Sequence, residues 1–152
     1  MRIVLDSNVL ARAAKPGLGP AREILIRCLQ EPNFLLLSAF IVSELRRVLR
    51  YDRVRRMHGL NDEDIEQYVL EIQSGALIVV LPTTSLEAIV VHDPQDDPIV
   101  HTAVAGIADV LCTRDRHLHH GTVTEYCRIR GIEVMDDVEL LAQLRAGRWP
   151  VS

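Results

Sequence analysis

Two stretches, Arg2-Ile-Val-Leu-Asp-Ser-Asn8 and Ala108-Asp-Val-Leu-Cys-Thr-Arg-Asp115, decide how the chain folds. Each is a short aliphatic run, without polar alternation, that ends on a carboxylate. Strands buried on both faces read this way, and such strands belong to parallel sheets covered by helices. Working outward, the expected strands are Arg2–Leu5, Phe34–Leu37, a weaker one within Ala76–Leu81, Asp109–Cys112 and Ile132–Met135, with Ile89–Val91 a further extended piece. Apolar residues near i, i+3, i+4 spacing predict helices over Ala21–Gln30, Ala39–Val54, Asp62–Gln73, Pro98–Ile107 and Val138–Leu144. The expectation is an α/β fold, a central parallel sheet of about five strands with helices on both faces, in one domain over residues 1–152.

Composition agrees. The 152 residues are 48% hydrophobic and 25% charged, which suits a globular core and excludes collagen, coiled coil and disorder. A formal net charge of -4 leaves no diffuse cationic surface, so any nucleic-acid site must be local. Cys28, Cys112 and Cys127 are odd in number, lie in apolar stretches and lack CxxC spacing, which argues against a disulfide framework or zinc ribbon and for a reducing cytoplasm. Asp6 comes too early for a signal peptide, and no apolar run reaches membrane-spanning length, so a cytoplasmic protein without membrane contact is expected. The Lys15-Pro-Gly-Leu-Gly-Pro20 cluster lacks the GK[ST] ending of a phosphate loop and reads as a turn.

The carboxylates carry the chemistry. Asp6 and Asp115 stand just beyond strand ends, and Phe34–Leu37 runs through Ser38 into the helix holding Glu44. In an open parallel sheet the carboxyl ends share the edge where ligands bind, so these residues can converge. Each also has a plainer role. Asp6-Ser7-Asn8 can turn the chain and cap a helix, Asp115 can cap a turn at Arg116 to Leu118, and Asp97 before Pro98 reads as a helix start. Glu44 borders the apolar stripe of its helix, where a carboxylate is costly unless paired or metal-bound. In Asp93-Pro-Gln-Asp-Asp-Pro98, Asp96 has no structural assignment, and Asp93 reads equally as a turn residue. Were Asp6, Glu44, Asp96 and Asp115 to meet at about 5 Å, each like-charge pair would cost about 3 kcal/mol at an effective dielectric near 20. Protonation or a divalent cation would have to relieve this, and an all-oxygen set suits Mg²⁺ or Mn²⁺ rather than zinc.

Here the chain resembles the PIN-domain metal-dependent nucleases, and specifically the VapC-like toxins of bacterial toxin-antitoxin pairs. The resemblance spans almost the whole chain. It rests on Asp6-x-Asn8, on Ser43-Glu-Leu-Arg-Arg-Val-Leu49, on Asp93-Pro-Gln-Asp-Asp-Pro98 before an Ala-containing helix, and on Ala108-Asp-Val-Leu-Cys-Thr-Arg-Asp115. It implies that Asp6, Glu44, Asp96 and Asp115 form a catalytic, Mg²⁺- or Mn²⁺-binding site, with Asp97 and Asp93 as alternates to Asp96 and with support from Asn8 and Thr113. It also implies an RNA substrate, phosphodiester hydrolysis and a cognate antitoxin; self-association into a homodimer stays open. The alternatives within the fold are a housekeeping RNA-processing nuclease and an inactive binding module.

Arg46, Arg50 and Arg53 fall on one stripe of the predicted Ala39–Val54 helix and read either as a solvated face or as a contact to the RNA backbone. Aromatic content of 4% disfavours base-stacking platforms. His117, His119 and His120 lack the partners of a structural zinc motif, and His92 and His101 read as packed or solvated imidazoles. Ser7, Ser38 and Ser43 lack a nucleophile elbow. An aspartyl-phosphate phosphatase also places Asp after its first strand, but Asp6-Ser-Asn8 lacks the second aspartate which that chemistry uses.

Overall fold

β1 (Arg2–Leu5) lies at the centre of a five-stranded parallel sheet, between β2 (Phe34–Leu37) and β4 (Val110–Cys112), with β3 (Leu77–Ile78) and β5 (Glu133–Met135) at the edges. The computed structural model describes residues 1–82 and 97–147. Ile3 pairs with Leu35 on one side and Val110 on the other; Leu36 pairs with Leu77, and Val110 with Glu133. The sequential residues Ile3, Val4 and Leu5 are all fully buried, as are Leu35, Leu36, Val110 and Leu111. A strand that buries neighbouring side chains buries both faces, so helices must cover the sheet on both sides. Each such side chain contributes about 1.5–3 kcal/mol on leaving water.

The helices are α1 (Ser7–Arg12), α2 (Pro20–Cys28), α3 (Ala39–Leu49), α4 (Asp52–His58), α5 (Asp62–Gly75), α6 (Asp97–Ala105), α7 (Gly121–Ile129) and α8 (Asp137–Ala146). Strands and most helices fall where the sequence places them, with ends moved by a few residues. Three readings change. The single helix expected over Ala39–Val54 is broken: Arg50 caps α3, and Tyr51 is extended (φ -65, ψ 136) before α4 begins. No Pro or Gly marks this break. Arginine side chains hold it instead, because Arg50 Nη1 donates to the Arg46 carbonyl at 3.0 Å and Arg55 Nε to the Arg50 carbonyl at 3.4 Å, filling carbonyls that the helix end leaves open. As a result Arg53 sits on a different helix from Arg46 and Arg50, and the three do not form one continuous stripe.

The other two changes are additions. α1 is six residues long, too short for a periodic signal, and it begins at once after Asp6 because the Asp6 carbonyl accepts from Val9 and Leu10. α7 carries the β-branched run Thr122-Val-Thr124, weak in helix propensity, and its N-cap is His120, whose ring accepts from the Thr122 N–H at 3.3 Å. Lys15 to Gly19 form the expected turn. Ile89–Val91 lies outside the described residues. Among the described residues, no helix is long and apolar enough to cross a membrane.

Candidate active site

β1 and β4 are paired through Leu5 and Cys112, so the residues following each strand emerge side by side at the carboxyl edge. Asp6 follows β1 and is only 4% exposed, although it is a carboxylate. Its Oδ2 accepts a 2.8 Å hydrogen bond from the Thr113 hydroxyl, and its Oδ1 a longer one, 3.3 Å, from Ser7 Oγ. Burial pushes its carboxyl above the ordinary value of 3.8; the Thr113 and Ser7 hydrogen bonds pull it back, and the neighbouring Asp115 adds to the rise. Among the described residues Asp6 enters no ion pair with Arg, Lys or His.

Thr113 is fixed on every side. Its N–H donates to the Met135 carbonyl of β5, its carbonyl accepts from His119 Nε2 at 2.7 Å, and its hydroxyl accepts from the Asp115 N–H at 3.0 Å. With that lone pair engaged, the hydroxyl hydrogen is directed to Asp6. Asp115 Oδ1 accepts from the His117 N–H, so Asp115 does cap the turn at residues 116–118 while standing close enough to Asp6 to act on its ionisation. The structure therefore brings Asp6, Thr113 and Asp115 together.

Glu44 stands on α3 between the buried Ile41, Leu45 and Val48, with 26% of its side chain exposed, and is paired with Arg47 one turn on. Asp97 and Pro98 open α6 as expected. That helix is anchored at the same edge by a buried hydroxyl pair, Thr102 Oγ1 and Ser38 Oγ, 2.8 Å apart. Asp93 and Asp96 lie outside the described residues. Among the described residues no three His, Cys, Asp or Glu side chains group as a metal site. The donors that do meet at Asp6 are two carboxylates and a hydroxyl, all oxygen, and among the described residues no basic side chain is paired with the buried carboxylate; that chemistry fits a hard divalent ion.

Asn8 is exposed on α1 and lines a cleft of about 460 Å³ with Arg12, Arg53 and Met57. Arg46 and Arg50 are instead engaged with α5: Arg46 Nε lies 3.1 Å from Glu66, and Arg50 reaches Glu66 at 2.9 Å and Asp62 at 3.4 Å. A second cleft, of about 420 Å³, is lined by Arg12, Lys15, Arg22, Arg114 and Asp137. Asp137 was not singled out from the sequence; it is the first residue of α8, two beyond the end of β5. The sequence reading also missed the role of His119 in holding Thr113.

The PIN domain family model matches residues 2–117, from β1 to the turn beyond β4. No curated relative matches the chain. PIN domains are generally nucleases and generally use divalent metal ions on nucleic-acid substrates. The matched span holds Asp6, Glu44, Thr113 and Asp115 and, in sequence, the acidic stretch before α6, and the chain belongs to the PIN domain family.

Proposed function

We propose that the protein is a Mg²⁺- or Mn²⁺-dependent endoribonuclease, acting as the toxin of a toxin-antitoxin pair. The observation that carries the nuclease reading is the buried Asp6 carboxylate, which enters no ion pair among the described residues and is held by Thr113 beside Asp115 at the open end of the sheet. Asp6, Glu44, Asp96 and Asp115 would hold the ion, with Asp97 and Asp93 next in line for the place of Asp96. When bound, the cation activates water and neutralises charge that develops on the phosphate. The protein's own part is preorganisation. Thr113 holds Asp6 in one orientation, His119 holds Thr113, and the low exposure of Asp6 keeps competing water from its oxygens. Asn8, exposed next to Asp6, meets substrate.

Water attack in line on phosphorus expels the 3′ oxygen, so the products carry 5′-phosphate and 3′-hydroxyl ends and the ribose 2′-hydroxyl is not consumed. Sequencing both ends of RNA cut by purified protein tests this. Asp6→Asn should abolish cleavage in a folded protein, and EDTA should do the same. Cyclic 2′,3′-phosphate ends, or cleavage that persists in EDTA, would overturn the assignment and turn attention to His117, His119 and His120, because imidazole is the side chain suited to general acid–base chemistry on the 2′-hydroxyl. The toxin reading rests on the sequence resemblance. Expression of this chain alone should slow growth, and co-expression of the neighbouring small open reading frame should restore it; unimpaired growth with active protein would favour a housekeeping nuclease.

A further inference from the structure

The two clefts share Arg12 and Met57 and so form one groove, which runs from Arg53 and Asn8 on one side to Lys15 and Arg114 on the other. In a chain of net charge -4, its described walls gather Arg12, Lys15, Arg22, Arg53 and Arg114 against a single carboxylate, Asp137. The groove is lined on one side by Asn8, two residues after Asp6, and on the other by Arg114, which lies between Thr113 and Asp115. Asp137 is 13% exposed and stands between two guanidiniums, with Arg12 Nη2 3.3 Å from Oδ2 and Arg114 Nε 3.1 Å from Oδ1. The Oδ1 contact is close but not aligned as a hydrogen bond, so this buried oxygen attracts Arg114 without fixing its N–H groups. One carboxylate cannot neutralise two guanidiniums. It leaves a net positive charge, holds Arg12 by a hydrogen bond and draws Arg114 beside it by charge alone, from the first turn of α8, where Asp136 and Glu139 form a capping box.

We propose that Arg12, Lys15, Arg53 and Arg114 form a track for the phosphodiester backbone of a single polynucleotide strand, leading it to Asp6, with Asp137 as the positioning residue for Arg12 and Arg114. This deepens the nuclease reading and rests on it. Arg22 is excluded from the track because its guanidinium is engaged with the Ala13 and Ala14 carbonyls at the end of α1. Lys15 and Arg53 are exposed and, among the described residues, enter no ion pair. Charges in file along a groove match one backbone and carry no base readout, so the track supplies affinity and register rather than sequence preference.

The test is equilibrium binding of a fluorescent single-stranded RNA oligonucleotide in EDTA, which separates binding from cleavage, measured across a salt series. Each of Lys15→Gln, Arg53→Gln, Arg12→Gln and Arg114→Gln should weaken binding and flatten the slope of log K against log salt by about 0.7, the loss of one phosphate contact on a single strand. Arg128→Gln, on a cation paired with Glu125 within α7, should leave the slope unchanged. Asp137→Asn separates positioning from simple charge. It adds positive charge to the groove, so an electrostatic effect alone tightens binding, whereas release of Arg12 and Arg114 from their places weakens it; weakening, with a melting curve showing a folded protein, is expected. Tighter binding by Asp137→Asn overturns the positioning role. Wild-type slopes in both exposed variants, Lys15→Gln and Arg53→Gln, overturn the track while leaving the nuclease reading intact. Failure of the wild-type protein to bind RNA at all overturns both.

Discussion

At the residue scale, Asp6 is kept at a cost to the fold. Its carboxyl is raised above 3.8 chiefly by burial, so the folded protein binds this proton more tightly than the unfolded chain does. Over the interval between those two values stability therefore falls as pH rises, and above the folded value the full penalty remains. Without metal, Asp6→Asn should melt higher than the wild type at neutral pH, and the gap should close as pH falls into the ordinary carboxyl range; a gap independent of pH would show that burial does not strain this ionisation. Thr113→Val acts in the other sense. It removes a hydrogen bond that lowers the Asp6 value and strips the Asp115 N–H of its acceptor, so a loss of about 1–3 kcal/mol in denaturant unfolding is expected. Ile107 offers a contrast without function. It is β-branched, 77% exposed and left-handed at φ 52 in the turn between α6 and β4, where glycine or asparagine is at ease. Ile107→Asn should raise stability by about 1 kcal/mol by urea titration.

At the element scale, what was legible in the sequence depended on length and on local causes. β1, β2 and β4 are continuous aliphatic runs whose burial on both faces leaves no other reading, and apolar spacing over Val138–Leu144 marks α8. Asp6 and Asp115 could be found because a carboxylate just past a buried strand stands out. The break between α3 and α4 could not, since its cause is tertiary: Arg46 and Arg50 reach across to Glu66 and Asp62 of α5, and guanidiniums fill the carbonyls at the break. The same contacts engage Arg46 and Arg50, whose run the sequence reads either as a solvated face or as a contact to the RNA backbone. α5 also fixes α1, because the Tyr68 hydroxyl donates to the Leu10 carbonyl at 2.6 Å. Tyr68→Phe leaves that carbonyl without its donor and should cost about 1 kcal/mol. Because α1 starts directly after Asp6, cleavage should also fall, with the larger change in kcat; unchanged kinetics with lowered stability would confine Tyr68 to packing.

At the scale of the whole molecule, the strand order β3-β2-β1-β4-β5 gathers the ends of β1, β2, β4 and β5 on one edge, so a chain of net negative charge concentrates acid at Asp6 and base in the groove beside it. The proposed acidic site would make global stability depend on metal. An ion that binds only the folded protein stabilises it by about 2.7 kcal/mol at a hundred times its dissociation constant. For a domain of this size that corresponds to a rise of about 5–10 °C in Tm. The proposed site therefore predicts a crossing rather than a uniform shift. In EDTA, Asp6→Asn melts above the wild type, because it lacks the buried charge. In saturating Mn²⁺ the wild type gains its several degrees and the variant gains little, since a neutral amide is a poor replacement for the central carboxylate. Differential scanning measurements on both proteins, with Mg²⁺, Mn²⁺ and EDTA, decide the matter. Equal metal shifts in both proteins would place the ion away from Asp6, and the absence of any shift in the wild type would remove the metal site from the proposal.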